Sequence, residues 1–161
     1  MEEKISAGKV LLTGLMAAGT ALWGWFGWLA LLWIAAMALD YLSGTAAAMK
    51  RGKWSSRAAR EGLWHKAGMI LAVVVSVLGD VLLGLVINHL PMVQLPFAYT
   101  VALSPVVLAW YILTELGSAA ENAAKMGAKV PRWLTRMLSG AAEAVDKAGE
   151  TAAGDREEKK P

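Results

Sequence analysis

Two stretches of this chain, Val10 to Leu39 and Val81 to Thr114, contain no Asp, Glu, Lys or Arg. Uncharged apolar runs longer than about 18 residues read as membrane-spanning helices, because only a helix satisfies every backbone N–H and C=O inside hydrocarbon. The composition agrees: 57% of the residues are hydrophobic and 18% charged, against about a quarter charged in ordinary soluble domains. The expected fold class is therefore an all-α integral membrane protein, with about four apolar helices and a C-terminal amphipathic helix.

The first run would make a helix of about 45 Å at ~1.5 Å per residue, too long for a hydrocarbon core of about 30 Å. A hairpin fits better than one steeply tilted helix. Its turn would lie at Trp23, Gly24, Trp25, Phe26, Gly27 and Trp28, where glycine permits a turn and Trp favours the membrane–water interface. On this reading helix 1 covers about 5–22 and helix 2 about 27–49. Lys4, Lys9 and the small residues at 18–21 resemble a cleaved leader. A second apolar run follows at once, so the segment is expected to be retained.

A basic segment comes next. Lys50, Arg51, Lys53, Arg57, Arg60 and Lys66 face one acid, Glu61. Ser55 or Ser56 can cap the helix that follows, expected over about 67–87 and ended by Asn88, His89 and Pro91. The fourth apolar helix runs over about 95–117 if it passes through Pro105 with a kink. Alternatively Ser104 caps it and Pro105 is its first residue, leaving 93–103 as a separate embedded segment. Both remain open. Lys125, Lys129, Arg132 and Arg136 form a second basic cluster. By the positive-inside rule both clusters lie in the cytoplasm, and with the hairpin so do both termini.

Past Pro131, the residues Trp133, Leu134, Met137, Leu138, Ala141, Ala142 and Val145 share one helical face. That pattern reads as a helix on the inner membrane surface, or one packed on other protomers. The expected organisation is a transmembrane helical domain over 1–128, an interfacial amphipathic helix over 129–149 and a disordered charged cytoplasmic tail over 150–161.

Asp40, Asp80 and Glu115 sit inside or at the edge of apolar segments. A charge at the bilayer centre costs at least about 2.5–3.5 kcal/mol, so such residues pair, line a wet cavity or become neutral. Helical spacing places Asp40 with Ser43, Gly44 and Ala47, and Glu115 with Ser118, Asn122 and Lys125. Small and polar residues let helices approach and hydrogen-bond in lipid. Asp40, Ser43, Gly44, Asp80, Glu115, Ser118, Glu121 and Asn122 are thus the pore or assembly candidates, either lining a hole or holding helices together. Glu121 can also pair simply with Lys125.

Other chemistry finds no footing. The chain has no cysteine, so disulfides and thiolate sites are excluded. His65 and His89 fall on opposite sides of the membrane. No zinc-protease motif, phosphate loop or nucleophile elbow is present. We expect no catalytic residue, no metal and no cofactor. The net charge of +3 lies in membrane-flanking clusters, which argues against nucleic acid as a partner.

Two blocks carry a family resemblance. Asp40-Tyr41-Leu42-Ser43-Gly44, followed by the basic segment with Ser55-Ser56, Gly62 and Lys66, resembles the first half of the holin family shared by phage lysis cassettes and clostridial toxin-secretion loci. Tyr111 to Ser118, then Glu121-Asn122 and Gly127 to Pro131, is similar to that family's hallmark segment, and Asp80 matches an acid late in the third helix. The match covers roughly residues 30 to 140. Ala119, Ala120 and the long segment with Pro91 and Pro96 depart from the pattern. The resemblance implies a protein that accumulates in the host cytoplasmic membrane with itself and lipid as partners. It then assembles abruptly into lesions that release a separate endolysin, without necessary direct contact. A toxin-release protein of the same family, a small channel or transporter subunit, and a non-pore scaffold are the alternatives.

Overall fold

A computed structural model describes residues 2–89 and 101–154; within the first helix, side chains are described at Thr13 and from residue 24 onward. The described residues form four helices and their connections: α1 (Glu2–Lys50), α2 (Ser56–His89), α3 (Leu103–Lys125) and α4 (Arg132–Ala153). Three segments are long and apolar enough to cross a membrane: Gly24–Lys50, Ser56–His89 and Leu103–Lys125.

Helix α1 breaks where the turn was expected. Gly24 has φ 60° and ψ −165°, a backbone conformation that glycine adopts far more readily than residues carrying a Cβ. The break is a single residue, and no loop separates the two helical parts. Apart from Thr13, which is exposed, the side chains of the expected first arm, 5–22, lie outside the described residues.

Helix α2 begins eleven residues before the expected Ala67. The N-cap is Ser55, whose Oγ accepts the Ala58 N–H at 3.2 Å. Arg57 and Arg60 therefore belong to the first turns of a helix and not to a loop. Charge marks where the membrane ends, whereas the helix stops only where its backbone loses partners. For the same reason α3 runs on to Lys125, past the expected Gly117.

The start of α3 corrects both readings of Pro105. Residues 101 and 102 are not helical, so no single helix passes from 95 through Pro105. Nor does Ser104 cap it; Ser104 is already inside the helix, and its hydroxyl donates to Asp80 at 2.6 Å. The embedded segment expected before it falls largely on 90–100, outside the described residues. The amphipathic helix forms as α4, between Pro131 and a left-handed Gly154 with φ 79°.

Helix α3 is the hub. It packs against α1, α2 and α4, while α1 and α2 barely meet. Its buried stripe is Ser104, Leu108, Ile112, Glu115, Ala119 and Asn122, spaced by three and four residues as one helical face requires. Trp33, Met69, Val73, Leu108 and Ile112 form the apolar core, and Trp33 stacks on Tyr111 with ring centroids 6.3 Å apart. Outward, Leu31, Ile34, Leu42, Leu71, Val75, Leu78 and Leu82 are exposed. A soluble protein would bury such a girdle; a lipid-facing one displays it.

Candidate functional site

The apolar core is closed at each end by a buried polar site. The first lies beside the α1–α2 connection. Lys66 of α2 donates to Asp40 Oδ2 of α1 at 2.7 Å, and its ammonium also binds Glu115 Oε2 of α3. One lysine thus ties all three candidate membrane spans. The Lys66, Asp40 and Glu115 side chains are only 13%, 17% and 5% exposed. Asn122 completes the site: its amide reaches Asp40 Oδ1 at 3.1 Å and Ser43 Oγ at 3.4 Å. Lys125 in turn donates to Asn122 Oδ1 at 3.2 Å.

Gly44 makes this approach possible. A Cβ there would come within 3.3 Å of the Asn122 amide nitrogen. Ala36 and Ala47, both almost fully buried, keep the remainder of the α1 face equally low. A cleft of about 260 Å³ opens on the site, lined among others by Asp40, Gly44, Lys53, Ser55, Lys66 and Ser118. An ion pair in such surroundings needs full hydrogen bonding to offset the loss of hydration, and here the carboxylates and the amide share the donors between them.

The second site is Asp80. Its Oδ1 accepts the N–H groups of Ala102 and Leu103 at 2.9 and 2.8 Å. Its Oδ2 accepts the N–H and hydroxyl of Ser104 at 2.8 and 2.6 Å. The first turn of a helix leaves its N–H groups without intrahelical partners and carries a partial positive charge. A carboxylate from α2 fills that role for α3. Along α2, Asp80 and Lys66 are about 21 Å apart at 1.5 Å per residue, so the two sites bracket the core.

Seven of the eight assembly candidates fall into these sites or beside them: Asp40, Ser43, Gly44, Glu115, Ser118 and Asn122 at one end, Asp80 at the other. Glu121 does not. It is exposed and pairs with Lys125 at 3.7 Å. The sequence places Lys66 in the basic flank and in the first family block, not among the assembly candidates; it is the centre of the first site. One signal could have found it, since Lys66, Met69, Val73, Ser76 and Asp80 are spaced by three and four residues like one buried face of α2.

The remaining basic residues gather at one end of the bundle. Lys50 binds the carbonyl of Met126, so the α1–α2 and α3–α4 connections meet. This brings Lys50, Arg51 and Lys53 towards Lys125, Lys129 and Arg132. Arg57 pairs with Glu61 at 3.2 Å on the surface.

No curated protein and no solved structure matches the chain. A family model described as the bacteriophage holin family matches residues 17–142, a stretch that contains both polar sites, all three candidate spans and the first half of α4. With three apolar helices, a lipid-like outer surface and that match over most of its length, the chain is a multi-pass membrane protein that belongs to the bacteriophage holin family.

Proposed function

We propose that this protein accumulates in the bacterial cytoplasmic membrane, oligomerises there, and opens lesions through which a separate cell-wall hydrolase leaves the cytoplasm. The observation that carries the reading is the joining of three apolar helices by one lysine between two carboxylates, in a chain of the holin family. Its polar contacts join helices within the protomer and are of the kind a neighbouring copy could take over. The basic residues gathered at one end favour a cytoplasmic location for the α1–α2 and α3–α4 connections. The work assigned to the chain is mechanical, and the bond-breaking belongs to the hydrolase.

The test is expression in bacteria with and without a cytoplasmic cell-wall hydrolase. Culture turbidity is expected to collapse after a delay only when both are made. Lysis by this chain alone, or no lysis with both at verified membrane levels, would overturn the proposal. If the chain depolarises cells yet retains the hydrolase, it is a small channel.

A further inference from the structure

Helix α4 does not point away from the bundle; it turns back along α3. Thr135, Leu138 and Ala142 share a cavity with Leu113, Gly117 and Glu121. One to two turns further on, Val145, Asp146, Gly149 and Glu150 share another with Val106, Val107, Trp110 and Ala72. The helix therefore climbs from the basic end of α3 towards its start. Ala72 lies well inside the apolar part of α2, so Asp146 and Glu150 sit at the height of the apolar spans. With 22 residues, α4 is about 33 Å long, close to the ~30 Å thickness of the hydrocarbon core.

Its circumference divides in three. Leu134, Leu138, Ala141, Ala142 and Val145 are half-buried towards α3. Trp133, Met137, Ala144 and Ala148 form an exposed apolar flank. The remaining arc is an exposed stripe of Arg132, Arg136, Glu143, Asp146, Lys147 and Glu150. A stripe of six charges at this depth is not compatible with lipid. A surface-lying helix needs no such arc to stand against a membrane-spanning neighbour.

We infer that the charged stripe of α4 faces the water of the open lesion, with α4 seated on α3 and the wall completed by the same helix of further copies. This rests on the lesion reading above. The apolar flank then meets lipid or the next protomer, and the stripe supplies the one hydrophilic helical face of membrane-crossing length among the described residues. Before assembly in the bilayer the same stripe has no lumen to face, so α4 lies at the inner membrane surface and takes the seated position seen here as the lesion forms. Gly127, with φ 97° between α3 and α4, is the pivot. Assembly and seating of α4 are thereby coupled.

Because the chain has no cysteine, single cysteines can be introduced and spin-labelled without background. Labels on the flank (Trp133→Cys, Met137→Cys, Ala144→Cys, Ala148→Cys) and on the stripe (Glu143→Cys, Lys147→Cys, Glu150→Cys) would be read in phosphatidylethanolamine–phosphatidylglycerol vesicles. Collision with oxygen and with a water-soluble nickel chelate gives depth and wetness, and leakage of a trapped dye is followed in the same vesicles. In leaking vesicles, flank labels should move from headgroup level at residue 133 to the bilayer middle by residue 144, while stripe labels stay open to the chelate. Leakage with one constant depth along the flank would overturn this inference and leave the lesion reading intact. Absence of leakage with every variant and with the parent chain would overturn the lesion reading itself.

Discussion

Ser104 is held twice by Asp80, through its backbone N–H at 2.8 Å and its hydroxyl at 2.6 Å, although the two residues belong to different helices. The contact makes the start of α3 depend on α2. Replacing the carboxylate by an amide would set its NH2 against donors. Asp80→Asn is expected to destabilise the bundle by about 1.5–3 kcal/mol, the range for losing hydrogen bonds to a charged group. Thermal unfolding of the purified protein in detergent checks this, and an unchanged midpoint would remove Asp80 from the account.

The three-helix junction makes a prediction of sign as well as size. Lys66→Met leaves Asp40 and Glu115 buried without their cation, which should cost about 3–5 kcal/mol. Adding Asp40→Asn and Glu115→Gln to the same chain removes the stranded charges and should restore most of that loss. Unfolding curves of the single and triple variants decide it. A triple variant as unstable as Lys66→Met would show that the lysine acts through packing alone.

Gly44 sets the distance between α1 and α3. In Gly44→Ala the new Cβ must displace the Asn122 amide, 3.3 Å away, and Gly44→Leu leaves no room at all. The expected losses are below about 1 kcal/mol for Ala and about 1–3 kcal/mol for Leu, as for other overpacked sites. Equal stability for the Leu variant would contradict the close approach of the two helices.

Gly127 turns the chain between α3 and α4 with φ 97°, and a Cβ there would lie 3.1 Å from the Lys50 ammonium. Gly127→Ala should therefore cost at least about 1 kcal/mol through backbone strain. It should also make the α3–α4 connection more sensitive to limited proteolysis. Lys50→Met, which loses the contact with the Met126 carbonyl, should raise proteolysis there without backbone strain.

Sequence pattern located the apolar helices because burial in lipid and burial in protein demand the same residues over the same lengths. The break at Gly24 and the cap at Ser55 followed from local chemistry, and so did the pairing of Glu121 with Lys125; Asn88 and His89, expected to end the third helix, are still helical in α2. The start of α3 did not, since its cap is a carboxylate 24 residues upstream of Ser104 and on another helix. The role of Lys66 was hidden for a related reason. A lysine at a membrane boundary satisfies the positive-inside rule wherever its ammonium points, and only tertiary packing shows it turned inward between two acids. The seams around Asp40 and Glu115 were legible as faces, but not as halves of one site.

The central claim is that this protein opens the cytoplasmic membrane, and the most direct test is membrane potential followed with a voltage-sensitive dye after induced expression. The account predicts a silent interval while protein accumulates, then abrupt and complete depolarisation. Sustained membrane potential at membrane levels of the protein well above those that coincide with lysis would contradict it.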